Sequence, residues 1–398
     1  MSIVLQEHER EKAEFNLSLL VVATLSYNLI ALAVNLFVGF FLPNTPIDTV
    51  FCLLVYFYLL FRALPVMIER ISGKDFIFVA IVVSLLLLSM LREDNFTYIY
   101  SSLPIFPKLF LYYFIGRSVW NDQYVEKVVF KATPYIIAVS FVIFVLTSVF
   151  AKNENEDNIS LAYFLLPFSI FSALKMIKFK EKRIFNILVF IGALFLQIWT
   201  GTRGPLLCLL LAIVIYLFVQ PNKSAVKFFF ILILLIAVIF MSSNLFTEIV
   251  QDISISLEQK GKSNRIVNKF LEEEFFNSSG RDSIIKNIVL AIEERPFWGY
   301  GLFSDRAVLN GSYCHNIFFE LLINFGIVIG GVLFVFLVYW LAISLFRRRE
   351  NSALFLMLTC VGFVKLFLSS SYIVEPMFFM LLGIAFTNPK AVNQTRGV

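Results

Sequence analysis

Apolar positions in the 398-residue chain fall in long unbroken runs separated by short polar stretches. A helix needs about 20 mostly apolar residues to cross a bilayer, and the pattern predicts about twelve such spans. They run over residues 17–42, 47–68, 76–91, 97–116, 133–150, 159–177, 184–200, 203–219, 226–243, 316–346, 352–368 and 372–387. Pro104, Pro107 and Lys108 interrupt the fourth. Outer-membrane barrels need strands of alternating polarity, which unbroken runs exclude. The predicted fold is an all-α polytopic membrane protein. It forms one integral membrane domain over residues 1–398, with a large polar loop at 244–315 that contains short amphipathic helices.

Composition agrees. The chain is 59% hydrophobic and 15% charged, against about 45–50% and about 25% in soluble domains. A globular core cannot absorb that excess. The 47 Phe and 15 Tyr suit spans and interfacial belts. A net charge of +5 is too small to imply a nucleic-acid partner. Cys52, Cys208 and Cys360 lie in apolar runs and Cys314 in a polar one. Their spacing indicates neither a disulfide framework nor a zinc cluster.

Residues 1–14 carry Glu7, Glu9, Arg10, Glu11, Lys12 and Glu14, without the features of a cleaved signal, so the first span is expected to be retained. Alternate loops are basic: Arg70/Lys74, Arg117/Lys127/Lys131, Lys178/Lys180/Lys182/Arg183, Lys223/Lys227 and Arg347/Arg348/Arg349. The loops between them, at 43–46, 92–95, 152–158 and 369–371, are neutral or acidic. Basic loops stay in the cytoplasm. Twelve spans satisfy the alternation, so it supports the interrupted fourth span. Both termini are then cytoplasmic and the 244–315 loop extracytoplasmic.

Three motifs fall on that outer side. Thr200-Gly201-Thr202-Arg203-Gly204-Pro205 joins two spans tightly. Pro205 suits a first helical turn, and Arg203 sits where a helix N-terminus favours anions. The alternative is a snorkelling boundary arginine. Ser279-Gly280-Arg281-Asp282 precedes Ile284, Ile285, Ile288, Val289 and Ile292 at helical spacing. Ser279 and Asp282 have capping-box spacing, which places Arg281 in the first turn of an amphipathic helix ending by Pro296. Arg281 there suits phosphate, or is simply exposed. Tyr313-Cys314-His315-Asn316 opens the tenth span, and Asn316, Glu320 and Asn324 continue as a polar stripe on one face. His315 can take a proton or hold a phosphate oxygen, or is an interfacial histidine.

Lys108 lies in an apolar run and could add charge beside an anionic headgroup, while Lys365 is expected to pair with Glu320 or Glu375 as structural glue. Arg62 is read as a snorkelling residue and the 347–349 arginine triplet as an orientation anchor. Walker, HExxH and GxSxG motifs are missing, which favours a metal-independent site. No internal repeat marks a transporter, although a polysaccharide or lipid transporter remains the reading of another class.

A Thr-Arg-Gly turn opening a span, Gly-Arg in the large loop, then Glu-Arg-Pro-Phe-Trp-Gly-Tyr-Gly at 294–301 and His-Asn-x-x-x-Glu at 315–320 leading to Gly326, Gly330 and Gly331 form an ordered set. The set resembles the bacterial O-antigen polymerase and O-antigen ligase superfamily, which is similar to C-type glycosyltransferases. By motif the resemblance covers residues 199–331.

The resemblance implies a glycan carried on undecaprenyl pyrophosphate, used at the outer face of the cytoplasmic membrane. It implies that Arg203 and Arg281 hold the pyrophosphate, with His315 beside them and Asn316 and Lys108 as further substrate contacts. His315 and Glu320 are both candidate bases. It implies no cofactor. The acceptor is a second lipid-linked repeat for a polymerase, or a lipid A core sugar for a ligase. A chain-length regulator and a flippase are the expected protein partners. A Phe- and Ile-rich chain of low charge with a Tyr-x-His-Asn entry resembles the polymerases more.

Overall fold

The computed structural model describes residues 2–41, 47–150, 155–179, 181–200, 202–219, 251–252, 255–256, 281–348 and 353–387. The described residues form helices and no strand. In chain order they are α1 (Ser2–Phe41), α2 (Ile47–Arg70), α3 (Gly73–Met90), α4 (Glu93–Ser102), α5 (Phe106–Ser118), α6 (Asp122–Phe150), α7 (Asn155–Lys178), α8 (Arg183–Trp199) and α9 (Arg203–Val219). There follow α10 (Arg281–Glu294), α11 (Ser304–Val308), α12 (Ile317–Arg347), α13 (Ala353–Leu358) and α14 (Pro376–Ala385). Among the described residues, six helices are long and apolar enough to cross a membrane, and four shorter apolar ones accompany them. The chain is a multi-pass membrane protein. The expected ninth span, 226–243, and most of the large loop, including Ser279 and Gly280, lie outside the described residues.

The count of twelve is not reproduced among the described residues. The expected fourth span is not one helix: α4 ends at Ser102, a 3-10 turn covers Leu103–Ile105, and α5 begins at Phe106. Pro104 and Pro107 cause this, since neither can donate an N–H and each ring clashes with a preceding helical turn. They sit instead at helix starts, where the missing N–H costs nothing. The expected eleventh span is likewise composite, with α13 running through a π turn at Thr359–Phe363 into a 3-10 turn at Val364–Phe367.

The largest difference lies in α12. Gly326 has φ 80° and ψ 168°, which no L side chain adopts comfortably and which ends one helix and starts another. The limbs, residues 317–325 and 327–347, fold back on each other. Phe318 and Phe334 meet edge to face with ring centroids 5.0 Å apart, and a Cβ on Gly330 would lie 2.4 Å from the Leu321 carbonyl oxygen. In a continuous helix, rising 1.5 Å per residue, Phe318 and Phe334 would be about 24 Å apart. The expected tenth span is therefore the second limb alone, and the first limb is a short helix packed against it.

The chain gathers into two compact units, one of residues 1–25, 50–129 and 279–398 and the other of residues 26–49 and 130–278. In the first, α5 and α14 meet backbone to backbone. A Cβ on Gly116 would lie 2.2 Å from the Met380 carbonyl oxygen, and one on Gly383 would lie 2.1 Å from that of Tyr113. Small residues permit the close approach that substitutes for hydrophobic drive inside a membrane. Several cations counted to the loops turn out to be buried or half-buried structural groups. Arg70 pairs with Glu14 and donates to the Ser118 carbonyl at 2.7 Å. Arg117 holds Asp75 at 2.8 Å. Arg348, expected as part of an orientation anchor, is buried, pairs with Asp122 and donates to the Ile384 carbonyl at 2.7 Å. Lys365 pairs with Glu375 at 2.6 Å rather than with Glu320. Arg62 is exposed and donates to the Tyr58 hydroxyl at 3.1 Å.

In the second unit α7, α8 and α9 pack together around Gln197, whose amide donates to the Ala162 carbonyl and the Ser169 hydroxyl, both at 3.1 Å. Arg203 is the first residue of α9 and Pro205 lies in its first turn, as the sequence predicts. Arg203 is half-buried, and the hydroxyl of the preceding Thr202 is buried without a hydrogen-bond partner among the described residues.

Candidate functional site

The site is built on α10 and the broken α12. The amphipathic helix forms as its spacing predicts: Ile288, Ala291 and Ile292 are buried against Cys314, Leu322 and Ile323. It ends at Glu294, and residues 296–301 cross the break in α12 as a tight turn. The break frees two helical carbonyls that the turn then uses. The Tyr300 N–H donates to the Ile323 carbonyl at 2.8 Å, and the Gly301 N–H to that of Asn324 at 2.9 Å. The displaced Ile327 N–H donates to the Pro296 carbonyl at 2.6 Å. Close approach needs glycine on both sides: a Cβ on Gly326 would lie 2.2 Å from the Phe297 carbonyl oxygen, and one on Gly299 would lie 2.5 Å from the Gly326 nitrogen. The α3–α4 corner clamps the turn from outside. Arg92 donates to the Gly299 carbonyl at 3.1 Å, Asn95 to that of Tyr300 at 2.8 Å, and the Leu302 N–H to the Ser89 hydroxyl at 2.9 Å.

Beneath the turn lies a buried polar cluster centred on Asp305, Arg306 and Glu320. Asp305 and Glu320 are both 0% exposed. Arg306 reaches Asp305 at 2.9 Å and Glu320 at 3.9 Å. Glu320 also accepts from the Ser371 hydroxyl and from the Tyr372 N–H. Asn324 donates to the Tyr372 hydroxyl at 2.8 Å and accepts from Ser304 at 2.9 Å. The polar stripe Asn316, Glu320 and Asn324 is thus engaged along the whole short helix. Burial pushes the Asp305 carboxyl above its ordinary range, opposed by Arg306.

His315 sits at the edge of this cluster, just before that helix. Its φ is 57°, a left-handed conformation costing a non-glycine residue about 1–3 kcal/mol, and such strain gathers at functional sites. The ring packs on Tyr313 with centroids 3.9 Å apart, and Nδ1 is buried without a hydrogen-bond partner among the described residues. Burial, and then the nearby Arg281 guanidinium, hold the imidazole below its usual pKa. Desolvation and a neighbouring cation both disfavour the charged ring. His315 is therefore neutral at neutral pH, with a fixed positive charge close by.

The structure brings together Arg281, the first residue of α10, and His315. Asn316 caps the short helix, its side-chain oxygen accepting from the Phe318 N–H at 3.0 Å. Glu320 is placed inside the cluster. Lys108 is exposed in the first turn of α5, its ammonium 5.8 Å from the Tyr112 ring centre. Arg203 belongs to the other compact unit. Asp305, Arg306, Ser371 and Tyr372 were not legible as site residues, because nothing local in the sequence marks an Asp-Arg doublet as buried. The one signal in the sequence was the glycine set 299, 301, 326 and 330, which marks close backbone approach.

Among the described residues, no group of three or more His, Cys, Asp or Glu is placed to hold a metal ion. No curated protein matches the chain. Residues 187–335 match the O-Antigen ligase family. That stretch holds Arg203, Arg281, His315, Asn316 and Glu320, together with the glycine-lined turn and the break in α12, and the match supports the O-antigen polymerase and ligase superfamily.

Proposed function

We propose that the protein is a glycan polymerase of the outer face of the cytoplasmic membrane, moving a growing glycan from undecaprenyl pyrophosphate to an incoming lipid-linked repeat. The arrangement that carries this reading is His315, held in a left-handed backbone with Nδ1 buried, near Arg281 at the start of α10. A guanidinium fork at a helix N-terminus suits a pyrophosphate. A neutral imidazole can accept a proton that a charged one cannot. The acceptor hydroxyl oxygen attacks the anomeric carbon of the donor glycan while the carbon–oxygen bond to pyrophosphate breaks. The bonding pair leaves with undecaprenyl pyrophosphate, and the hydroxyl proton passes to His315, through Nε2 because Nδ1 is buried. Arg281 stabilises the charge that grows on the leaving group. Arg203, at its own helix N-terminus, is assigned the same class of ligand. Guanidinium groups thus take the part that a metal ion plays elsewhere. Asn316 is assigned to substrate contact through its side-chain amide hydrogens, and exposed Lys108 to an anionic headgroup. Glu320, fully buried and occupied by hydrogen bonds, is the weaker candidate base.

The test is the glycan profile of cells carrying inserted Arg281→Ala, Arg203→Ala or His315→Ala protein. Each is expected to lose long-chain glycan. Normal ladders from all three overturn the reading. The second reading is an O-antigen ligase, favoured by the description of the matched family. A deletion strain separates the two by mass spectrometry of its glycans. Single repeats on lipid A mean a lost polymerase, and long chains stranded on the lipid carrier mean a lost ligase.

A further inference from the structure

His315 holds an unfavourable left-handed backbone, so something must hold it there. Both of its neighbours are pinned. Asn316 is fixed as the cap of the short helix, through its bond from the Phe318 N–H. On the other side, the Cys314 N–H donates to Asp305 Oδ2 at 3.0 Å. The Cys314 side chain is buried in the apolar cluster under α10. Asp305 is itself fixed at both oxygens, since its Oδ1 receives Arg306 at 2.9 Å. Arg306 in turn reaches Glu320 on the short helix, and Glu320 is held by Ser371 and the Tyr372 backbone. The residues flanking His315 are therefore tied to one buried framework, and Asp305 is where the loop bonds to it.

Resting on the reading that His315 is the proton acceptor, we infer that Asp305 is a positioning residue that fixes His315 through the Cys314 amide. It touches no substrate. Its carboxylate is desolvated and costly to bury, and Val or Leu would fill the volume without desolvating a charge, but could not accept the Cys314 N–H. Misplacing a reacting group by about 1 Å can cost roughly 100-fold in rate.

The test is steady-state turnover of purified full-length protein with an undecaprenyl-pyrophosphate-linked oligosaccharide, for Asp305→Ala, Asp305→Asn, His315→Ala and the two double variants. Asp305→Ala is expected to lower kcat about 10- to 100-fold with KM for the donor nearly unchanged, because Arg281 is untouched. Asp305→Asn keeps an acceptor oxygen for the Cys314 N–H and is expected to lose less. In the His315→Ala background, neither substitution should cost anything further, since their effect runs through the histidine. Equal losses in both backgrounds mark a merely structural role and overturn the inference, as does an unchanged kcat for Asp305→Ala when His315→Ala is inactive. Should Asp305→Ala fail to fold, the same comparison with Asp305→Asn decides. Full turnover by His315→Ala defeats the catalytic reading itself, and this inference with it.

Discussion

Phe318 and Phe334 meet edge to face, ring centroids 5.0 Å apart, because the helix carrying them is folded in two at Gly326. The neighbouring glycines test this fold-back. Gly330 faces the first limb, where a Cβ would lie 2.4 Å from the Leu321 carbonyl oxygen, while a Cβ on Gly331 would meet nothing within 4 Å. Gly330→Ala must push the limbs apart, and overpacking of this kind costs about 1–3 kcal/mol. Gly331→Ala replaces a poor helix former with the best one and should be neutral or stabilising by up to about 1 kcal/mol. Thermal unfolding of the two variants in detergent checks this. Equal melting temperatures would mean the helix is continuous.

The spans were legible because an uninterrupted apolar run of about 20 residues matches the thickness of a bilayer and suits few settings outside one. The break was not, since residues 317–347 read as one apolar helix with three glycines. What decides between a straight helix and a hairpin is a turn from elsewhere, residues 296–301, supplying the displaced hydrogen bonds. That is a tertiary fact. The run at 97–116 is not one helix for a local reason, Pro104 and Pro107, which the sequence shows. The loop alternation counted Arg70, Arg117 and Arg348 as topological charges, whereas each is held in an ion pair. Arg281 and His315 were legible because a cation or a histidine beside an apolar run has few purely structural uses. Asp305 and Arg306 neutralise each other, and a sequence does not reveal that.

The pH dependence of turnover follows from the pair Arg281 and His315. The reaction needs neutral imidazole, so kcat/KM should fall on the acid side as His315 takes up a proton. Burial and Arg281 both hold that pKa below the ordinary value of 6.5. The acid limb of the wild-type protein is therefore expected below 6.5. Arg281→Gln removes the neighbouring charge but not the burial, so the residual activity should show an acid limb moved to higher pH. The measurement is kcat/KM against pH, which reports the free enzyme. A limb that stays in place means the titrating base is another group.

Cys314 reports on the framework without any assay of turnover. Burial, followed by the negative charges of Glu320 and Asp305, pushes its thiol up to about 12. The thiolate is the reactive form, and at pH 8 about one thiol in 10,000 would be ionised, against roughly a quarter of an ordinary thiol. All four cysteines are buried. The folded protein is expected to resist a maleimide at pH 8 and to label at Cys314 only after denaturation. Rapid labelling of Cys314 in the folded state would show that the loop before His315 is open.

Lys365 and Glu375 form an ion pair of 2.6 Å with little exposure on either side. Removing one charge from such a pair leaves the other desolvated and unpaired, typically at a cost of about 3–5 kcal/mol. Lys365→Met should therefore destabilise strongly. Glu375 has a second duty, since its side chain accepts from the Met377 N–H and caps α14. A glutamine there keeps the acceptor oxygen and drops the charge. The double variant Lys365→Met, Glu375→Gln should consequently be more stable than Lys365→Met alone, although it lacks the pair altogether. Denaturation midpoints of the wild type, both single variants and the double variant close the cycle. If the double variant is destabilised by the sum of the two singles, the charges are independent, and the pair is not the link between the 3-10 turn at Val364–Phe367 and α14.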